Sequence, residues 1–219
     1  MLALIEGIGE LVPECASDLQ RALAALQSAL RHDAVLPSHG AAVSCAALRA
    51  LAQLSSRFPD ATIEVQSQLQ AWAQHDGLPA QARSAAAVAH LDLVATDNDL
   101  DALVTAMLLL FDSVPDPCAL LSATCAAASG IIRRNQTAIA RSRAVSASAK
   151  HPTRAKLVSI AAVHTHIGAH AQPQLRHQAF RLLRILAGAE PTVLEAVEGT
   201  ELELADKAAA PERKRAAQC

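Results

Sequence analysis

Five prolines divide the chain at intervals of 42, 38, 35 and 39 residues, and they are Pro37, Pro79, Pro117, Pro152 and Pro191. Proline fits the first turn of an α-helix, where its missing N–H is not needed, but it breaks a helix interior. An interval of about 40 residues is long enough for two helices and their turns. The series therefore predicts a succession of helical hairpins.

The composition favours helices over strands. Alanine fills 50 of the 219 positions, whereas the chain has no tyrosine, one tryptophan and three phenylalanines. Alanine is the best helix former, and strands favour the aromatic side chains that are scarce here. We expect an all-α protein, and its 52% hydrophobic content is enough to bury a continuous core.

Apolar side chains recur at the helical period along most of the chain. The clearest stripes are Leu19, Leu23 and Leu26; Val65 and Leu69; and Leu175, Leu182 and Leu186. Pro59 is expected to end one helix, Asp60 to cap the next, and Asp116-Pro117 to open another. The serine-rich stretch 136–149 has few large apolar residues, and it is predicted to be a loop or an irregular repeat.

Pairing the predicted helices gives units near residues 14–58, 60–96, 98–134 and 152–188. With their first-turn prolines and alanine/leucine stripes, these units resemble the armadillo/HEAT superfamily of helical repeats across most of the chain. The resemblance implies a right-handed α-solenoid of about four to five helical hairpins. It also implies a scaffold for protein partners that has no catalytic residues. A compact helical bundle is the alternative architecture.

We expect a single helical-repeat domain over residues 1–199. From residue 200 to residue 219 the chain is charged and rich in alanine, so this segment is predicted to be a mobile C-terminal tail.

Acidic and basic residues are segregated along the chain. Residues 1–116 hold 14 acidic and 5 basic residues, whereas residues 117–189 hold 10 basic residues and no acidic residue. The ten basic residues, which five histidines accompany, are Arg133, Arg134, Arg141, Arg143, Lys150, Arg154, Lys156, Arg176, Arg181 and Arg184. On the last strong helix, the turn of 100° per residue places the three arginines away from the leucine stripe.

Three interpretations of this basic region stay open. It is a solvated face that complements the acidic first half of the chain, a surface for an acidic protein segment, or a surface for a phosphate-bearing partner such as RNA. Phe180 is the one aromatic residue among these bases, so stacking on single-stranded bases has little support, whereas contact with the phosphate backbone alone is possible. We expect a non-enzymatic scaffold or adaptor, or a subunit of a larger complex, that binds acidic protein partners. RNA binding is the alternative function.

The candidate metal ligands are incomplete. His166 and His170 are four residues apart and could share a helix face, but no acidic residue lies nearby to orient their rings, and further ligands are missing. Asp97, Asp99 and Asp101 are interpreted as helix-start residues, because the glycine and glutamate of a calcium loop are absent. No nucleotide-binding or nucleophile motif occurs, so we expect no cofactor, no metal and no small-molecule substrate.

Two features concern regulation and location. Ser146 follows Arg141 and Arg143 in the arrangement RxRxxS, which makes it a candidate phosphorylation site. The apolar run 102–111 is shorter than the roughly 20 residues of a membrane span, and the first ten residues resemble no signal peptide. Five cysteines without a CxxC pair indicate no disulfide framework. We expect a soluble intracellular protein, cytoplasmic or nuclear, without membrane insertion.

Overall fold

The computed structural model describes residues 2–10, 16–143, 163–168 and 172–187, and this part of the chain is helical with no strand. The prediction of an all-α protein is confirmed. The α-helices are α1 (Leu2–Glu10), α2 (Ala16–Val35), α3 (Ala42–Ser55), α4 (Pro59–Ala73), α5 (Ala80–Val94), α6 (Leu100–Phe111), α7 (Pro117–Arg143) and α8 (Pro173–Ala187). Short 3₁₀ turns occupy His39–Ala41 and Ala95–Asp97, and a π-helical segment occupies His164–Gly168.

Prolines stand at several helix starts. Pro59, Pro117 and Pro173 are the first residues of α4, α7 and α8, and Pro79 directly precedes α5. At Pro59 the sequence prediction was wrong in detail. Helix α3 already ends at Ser55, and Pro59 opens α4 rather than closing α3. The N-cap of α4 is Phe58, so the prediction that Asp60 caps this helix is wrong as well. Proline is well suited to the first helical position, where no N–H is required.

Carboxylates cap two of the helices, as the sequence predicted. Oδ1 of Asp99 accepts hydrogen bonds from the backbone N–H groups of Asp101, at 2.8 Å, and Ala102, at 3.2 Å. Oδ1 of Asp116 accepts one from the N–H of Ala119 at 2.9 Å. Each cap satisfies N–H groups that have no partner within the helix.

Helix α7 is longer than expected. The serine-rich stretch was predicted to be a loop or an irregular repeat. Residues 136–143 are not a loop, because they continue the helix to Arg143, and residues 144–149 lie outside the described residues. No glycine or proline interrupts the sequence between Gly130 and Pro152. A serine in a helix interior costs roughly half a kcal/mol relative to alanine, which is less than the cost of about 1 kcal/mol for glycine, so polarity alone does not end a helix.

The chain divides into two compact units between Ala127 and Ala128. In the first unit α3 packs against α1, α2, α4 and α5, and α5 in turn packs against α4 and α6. Leu48, Leu51 and Leu54 on α3 are buried. Each fully buried leucine contributes about 1.5–3 kcal/mol relative to an exposed one, so α3 is the centre of this core.

In the second unit α8 packs against the π-helical segment. The side chains that this helix buries repeat at the helical period and are Leu175, Ala179, Phe180, Leu182, Leu183 and Leu186. Val163 and Ile167 are buried as well. The apolar stripe predicted for this helix is therefore confirmed. The single domain over residues 1–199 stays a prediction, and the tail 200–219 lies outside the described residues.

Candidate functional site

The exposed face of α8 carries a row of basic side chains. His177, Arg181 and Arg184 are exposed, and they occupy positions i, i+4 and i+7 of the helix. This spacing aligns them along one face over about 10 Å of helix axis. We refer to these three residues as the basic stripe. The stripe forms because the opposite face of the same helix is apolar and buried.

Arg176 does not belong to the basic stripe. The sequence predicted it to share a face with Arg181 and Arg184, but its side chain is half-buried, whereas the other two are exposed. The helical turn of 100° per residue places position 176 between Leu183 and Phe180 around the helix, and both of these side chains are buried. The structure thus narrows the predicted surface on this helix from three arginines to two, with His177 beside them.

Arg133 and Arg134 are exposed on α7. Arg141 and Arg143 lie in the last turn of that helix. The remaining predicted contacts, Lys150, Arg154 and Lys156, lie outside the described residues, as do Ser146 and His170. The described residues thus include part of the predicted basic set, on α7 and on α8, and a shared basic surface stays a prediction.

No acidic residue occurs in the described part of the second unit, residues 128–143, 163–168 and 172–187. The charged side chains of these described segments are therefore all basic. At physiological ionic strength, charges within about 8 Å of one another act without full screening. The stripe can attract an anionic group that approaches to contact distance.

Metal-binding groups are not assembled in the described residues. His166 is exposed in the π-helical segment. No group of three or more histidine, cysteine or acidic side chains in the described part of the chain is placed to hold a metal ion. Among the three aspartates considered for calcium, Asp99 is engaged as the cap of α6.

A buried carboxylate in the first unit was not predicted from the sequence. Asp33 Oδ1 accepts a hydrogen bond from the N–H of Ser38 at 2.7 Å, and Oδ2 accepts from the N–H and Oγ of Ser44 at 3.0 and 2.5 Å. Burial raises the pKa of Asp33, but the hydrogen bonds from Ser44 and Ser38 outweigh burial and lower this pKa overall. Both carboxylate oxygens are engaged by the chain itself, so Asp33 holds the link between α2 and α3.

A small pocket also lies in the first unit, with a volume of about 90 Å³. Its lining residues are Leu30, Arg31, Ala34, Ser44, Leu48, Trp72, Leu78 and Ala82. We refer to it as the Trp72 pocket. No local sequence signal could have predicted it, because its walls come from α2, α3, α4, α5 and the loop before α5.

Comparisons of the chain with protein-family models, with curated proteins and with solved structures find no match. Among the described residues, no helix combines the length and the apolar character that a membrane crossing requires. A functional assignment therefore depends on the residues of this chain and on their arrangement.

Proposed function

We propose that the protein is a non-enzymatic helical-repeat scaffold that binds an acidic segment of a protein partner through the basic stripe on α8. The observation that carries this proposal is the row formed by exposed Arg181 and Arg184 beside His177, in a unit whose described residues include no carboxylate side chain. A partner rich in aspartate or glutamate complements such a surface.

The helix contacts of the first unit support a repeat architecture. Helix α3 contacts its chain neighbours α2 and α4, and it also contacts α1 and α5, two helices away on either side. Contacts between alternate helices are typical of hairpins that stack on one another, as in armadillo/HEAT repeats. We propose a right-handed α-solenoid of this type, in preference to a compact bundle.

The exposed position of the basic stripe determines how it would bind. An exposed ion pair contributes about 0.2–1 kcal/mol, so two or three such pairs give a weak contact by themselves. Charges of this kind mainly accelerate association and select the partner, and their effect decreases as salt is added. The stripe is thus suited to a reversible contact within an assembly.

A charge-reversal experiment tests the proposal. The probe is a fluorescein-labelled oligoglutamate peptide, and the variant is Arg181→Glu together with Arg184→Glu. We expect its dissociation constant, measured by fluorescence anisotropy, to rise at least about tenfold, which is 1.4 kcal/mol. The matched control reverses two exposed arginines of the first unit, Arg21 and Arg49, and so changes the net charge equally. Equal losses in the two variants, or no loss in the first, would overturn the proposal.

A single-stranded RNA of the same charge as the peptide serves as the competing probe. Phe180 is buried, so it offers no exposed ring on which a base could stack beside the basic stripe. This observation favours the protein partner. RNA that binds through Arg181 and Arg184 more tightly than oligoglutamate would replace the proposed function with phosphate-backbone recognition.

A further inference from the structure

The Trp72 pocket has the size of a single side chain. Its volume is about 90 Å³. By comparison, an engineered protein cavity that binds benzene measures about 150 Å³. Pockets for whole small-molecule ligands measure roughly 300–1,000 Å³. The pocket can therefore admit one aliphatic side chain of a larger partner, whereas a cofactor or a metabolite is too large for it.

Most of the pocket lining is apolar. Leu30, Leu48, Trp72 and Leu78 provide the large hydrophobic surfaces, and Ser44 turns its hydroxyl group to Asp33. Val35 and Leu36, which follow the lining residue Ala34 in the chain, are 78% and 68% exposed. Exposed aliphatic residues near a hydrophobic pocket provide further apolar surface for a partner.

Arg31 adds a positive charge to the pocket lining. It is exposed, and no hydrogen bond or ion pair joins its side chain to another of the described residues. Two acidic residues near in sequence to the lining are already engaged, since Asp33 accepts hydrogen bonds from Ser38 and Ser44 and Asp76 pairs with Arg83. Arg31 therefore complements a carboxylate that is brought by a partner.

We propose that the Trp72 pocket docks a short peptide segment of a protein partner, with one leucine or isoleucine side chain inside the pocket and an adjacent aspartate or glutamate paired with Arg31. Tryptophan and arginine are the residue types that dominate binding energy at protein interfaces, typically around a pocket that takes one anchor side chain. The pocket lies within the first unit, so this contact is separate from the basic stripe. It gives the scaffold a second and more specific point of attachment.

Selection from a random library supplies a probe even though the natural partner is unidentified. Phage-displayed random peptides of about twelve residues are selected on the immobilised wild-type protein. We expect the enriched peptides to share a leucine or isoleucine within four positions of an acidic residue. Trp72 is the single tryptophan of the chain, so its fluorescence reports directly on occupation of the pocket by a synthetic copy of an enriched peptide.

Two exposed positions allow the pocket to be altered without touching the buried core. Arg31→Glu places a negative charge against the peptide carboxylate, and Ala34→Phe fills the entrance with a ring. Each should weaken binding of the enriched peptide at least about tenfold, which is 1.4 kcal/mol. Arg21→Glu is the matched control, since it reverses an exposed arginine on the same helix outside the pocket lining, and it should leave the affinity unchanged.

The outcomes separate this site from the proposed function of α8. Arg31→Glu and Ala34→Phe should each weaken binding of the enriched peptide. The stripe variant, Arg181→Glu with Arg184→Glu, should leave this binding unchanged. This pattern supports the pocket whether or not the basic stripe binds oligoglutamate. Enriched peptides without an acidic residue, a Trp72 emission spectrum that does not change on binding, or affinity that neither pocket variant alters would each overturn the proposal.

Discussion

Arg83 Nη1 lies 2.9 Å from Asp76 Oδ1, and the two side chains differ sharply in exposure, at 15% and 91%. The partly buried guanidinium also donates from Nε to the carbonyl oxygen of Ala73, at 3.3 Å, and from Nη2 to that of Ser113. One arginine of α5 thus holds the end of α4 and the residues that follow α6. Of these three contacts, we expect the ion pair with the exposed Asp76 to contribute the least to stability.

Arg83→Ala should therefore destabilise the protein far more than Asp76→Ala. Hydrogen bonds that involve a charged group contribute about 1.5–3 kcal/mol, and the variant leaves two carbonyl groups without their partner. An exposed carboxylate in an ion pair contributes less than about 1 kcal/mol. Urea denaturation measures both changes in the free energy of unfolding. Equal losses would mean that the ion pair, and not the carbonyl contacts, is what Arg83 supplies.

Gly9 sets how closely α1 approaches α3. A β-carbon at Gly9 would lie 2.9 Å from both Cα and Cβ of Ala50, whereas one at Gly7 would have no atom within 4 Å. Gly9→Ala should cost about 1–3 kcal/mol through overpacking. Gly7→Ala should stabilise the same helix by up to about 1 kcal/mol, because alanine is the better helix former. Thermal denaturation of the two variants checks the opposite signs, and a stabilised Gly9→Ala protein would contradict the close packing.

Asp33→Asn should weaken the link between α2 and α3. In the wild type, the two oxygens of Asp33 accept hydrogen bonds from the N–H groups of Ser38 and Ser44. The amide of asparagine has one acceptor oxygen and one NH₂ group, so its NH₂ group faces one of these N–H donors and that hydrogen bond is lost. We expect a loss of about 2 kcal/mol at neutral pH. Asp18 lies on the same helix, is 40% exposed and is paired at the surface with Arg21, so Asp18→Asn should cost less than about 1 kcal/mol.

The pH dependence of that loss follows from the direction of the pKa change. The pKa of Asp33 in the fold is below its ordinary value of 3.8, so its contribution to stability is present above this pH and is lost as the pH falls further. The gap in unfolding free energy between wild type and Asp33→Asn should therefore narrow below pH 3.8. A gap that stays constant into acid would show that the charge of Asp33 does not matter.

His90 makes the fold sensitive to mild acid. It is buried, and its Nδ1 donates to the carbonyl oxygen of Gln66, 3.1 Å away on α4. Burial lowers the pKa of His90, and the hydrogen bond to Gln66 opposes burial without cancelling it. As the pH falls below about 6.5, the unfolded chain binds a proton that the folded His90 does not, so the free energy of unfolding decreases.

His90→Gln removes this proton uptake while it retains a hydrogen-bond donor. Urea denaturation at about pH 7.5 and pH 5.5 should show a larger loss of stability on acidification for the wild type than for the variant. The other eight histidines are common to both proteins, so they cancel in this comparison. Identical losses of stability in the two proteins would mean that groups other than His90 cause the acid sensitivity.

Local signals in the sequence predicted the local structure well. Asp116-Pro117 opens α7 because both residues act within one helical turn of their own positions, and the stripe of Leu175, Leu182 and Leu186 is buried because its period alone specifies a face. Pro59 was misplaced because a proline after a helix and a proline that starts the next helix give the same local pattern.

Contacts between distant segments could not be predicted in the same way. Asp33 meets Ser44 eleven residues later, and Arg83 meets Ser113 thirty residues later, through packing that no short motif encodes. The Trp72 pocket is likewise formed by four helices and a loop. The basic stripe could be predicted only in part. The charge composition indicated the region, but the difference in exposure between Arg176 and the pair Arg181 and Arg184 became known only from the structure.

The salt dependence of oligoglutamate binding tests most directly whether Arg181 and Arg184 bind an acidic protein segment. In the variant Arg181→Gln with Arg184→Gln, we predict weaker binding and a flatter dependence of the dissociation constant on salt, because two screened attractions are removed. Arg21→Gln with Arg49→Gln should retain the wild-type dependence. If the double variant at the basic stripe has the same affinity and the same salt dependence as the wild type, Arg181 and Arg184 do not bind the acidic segment.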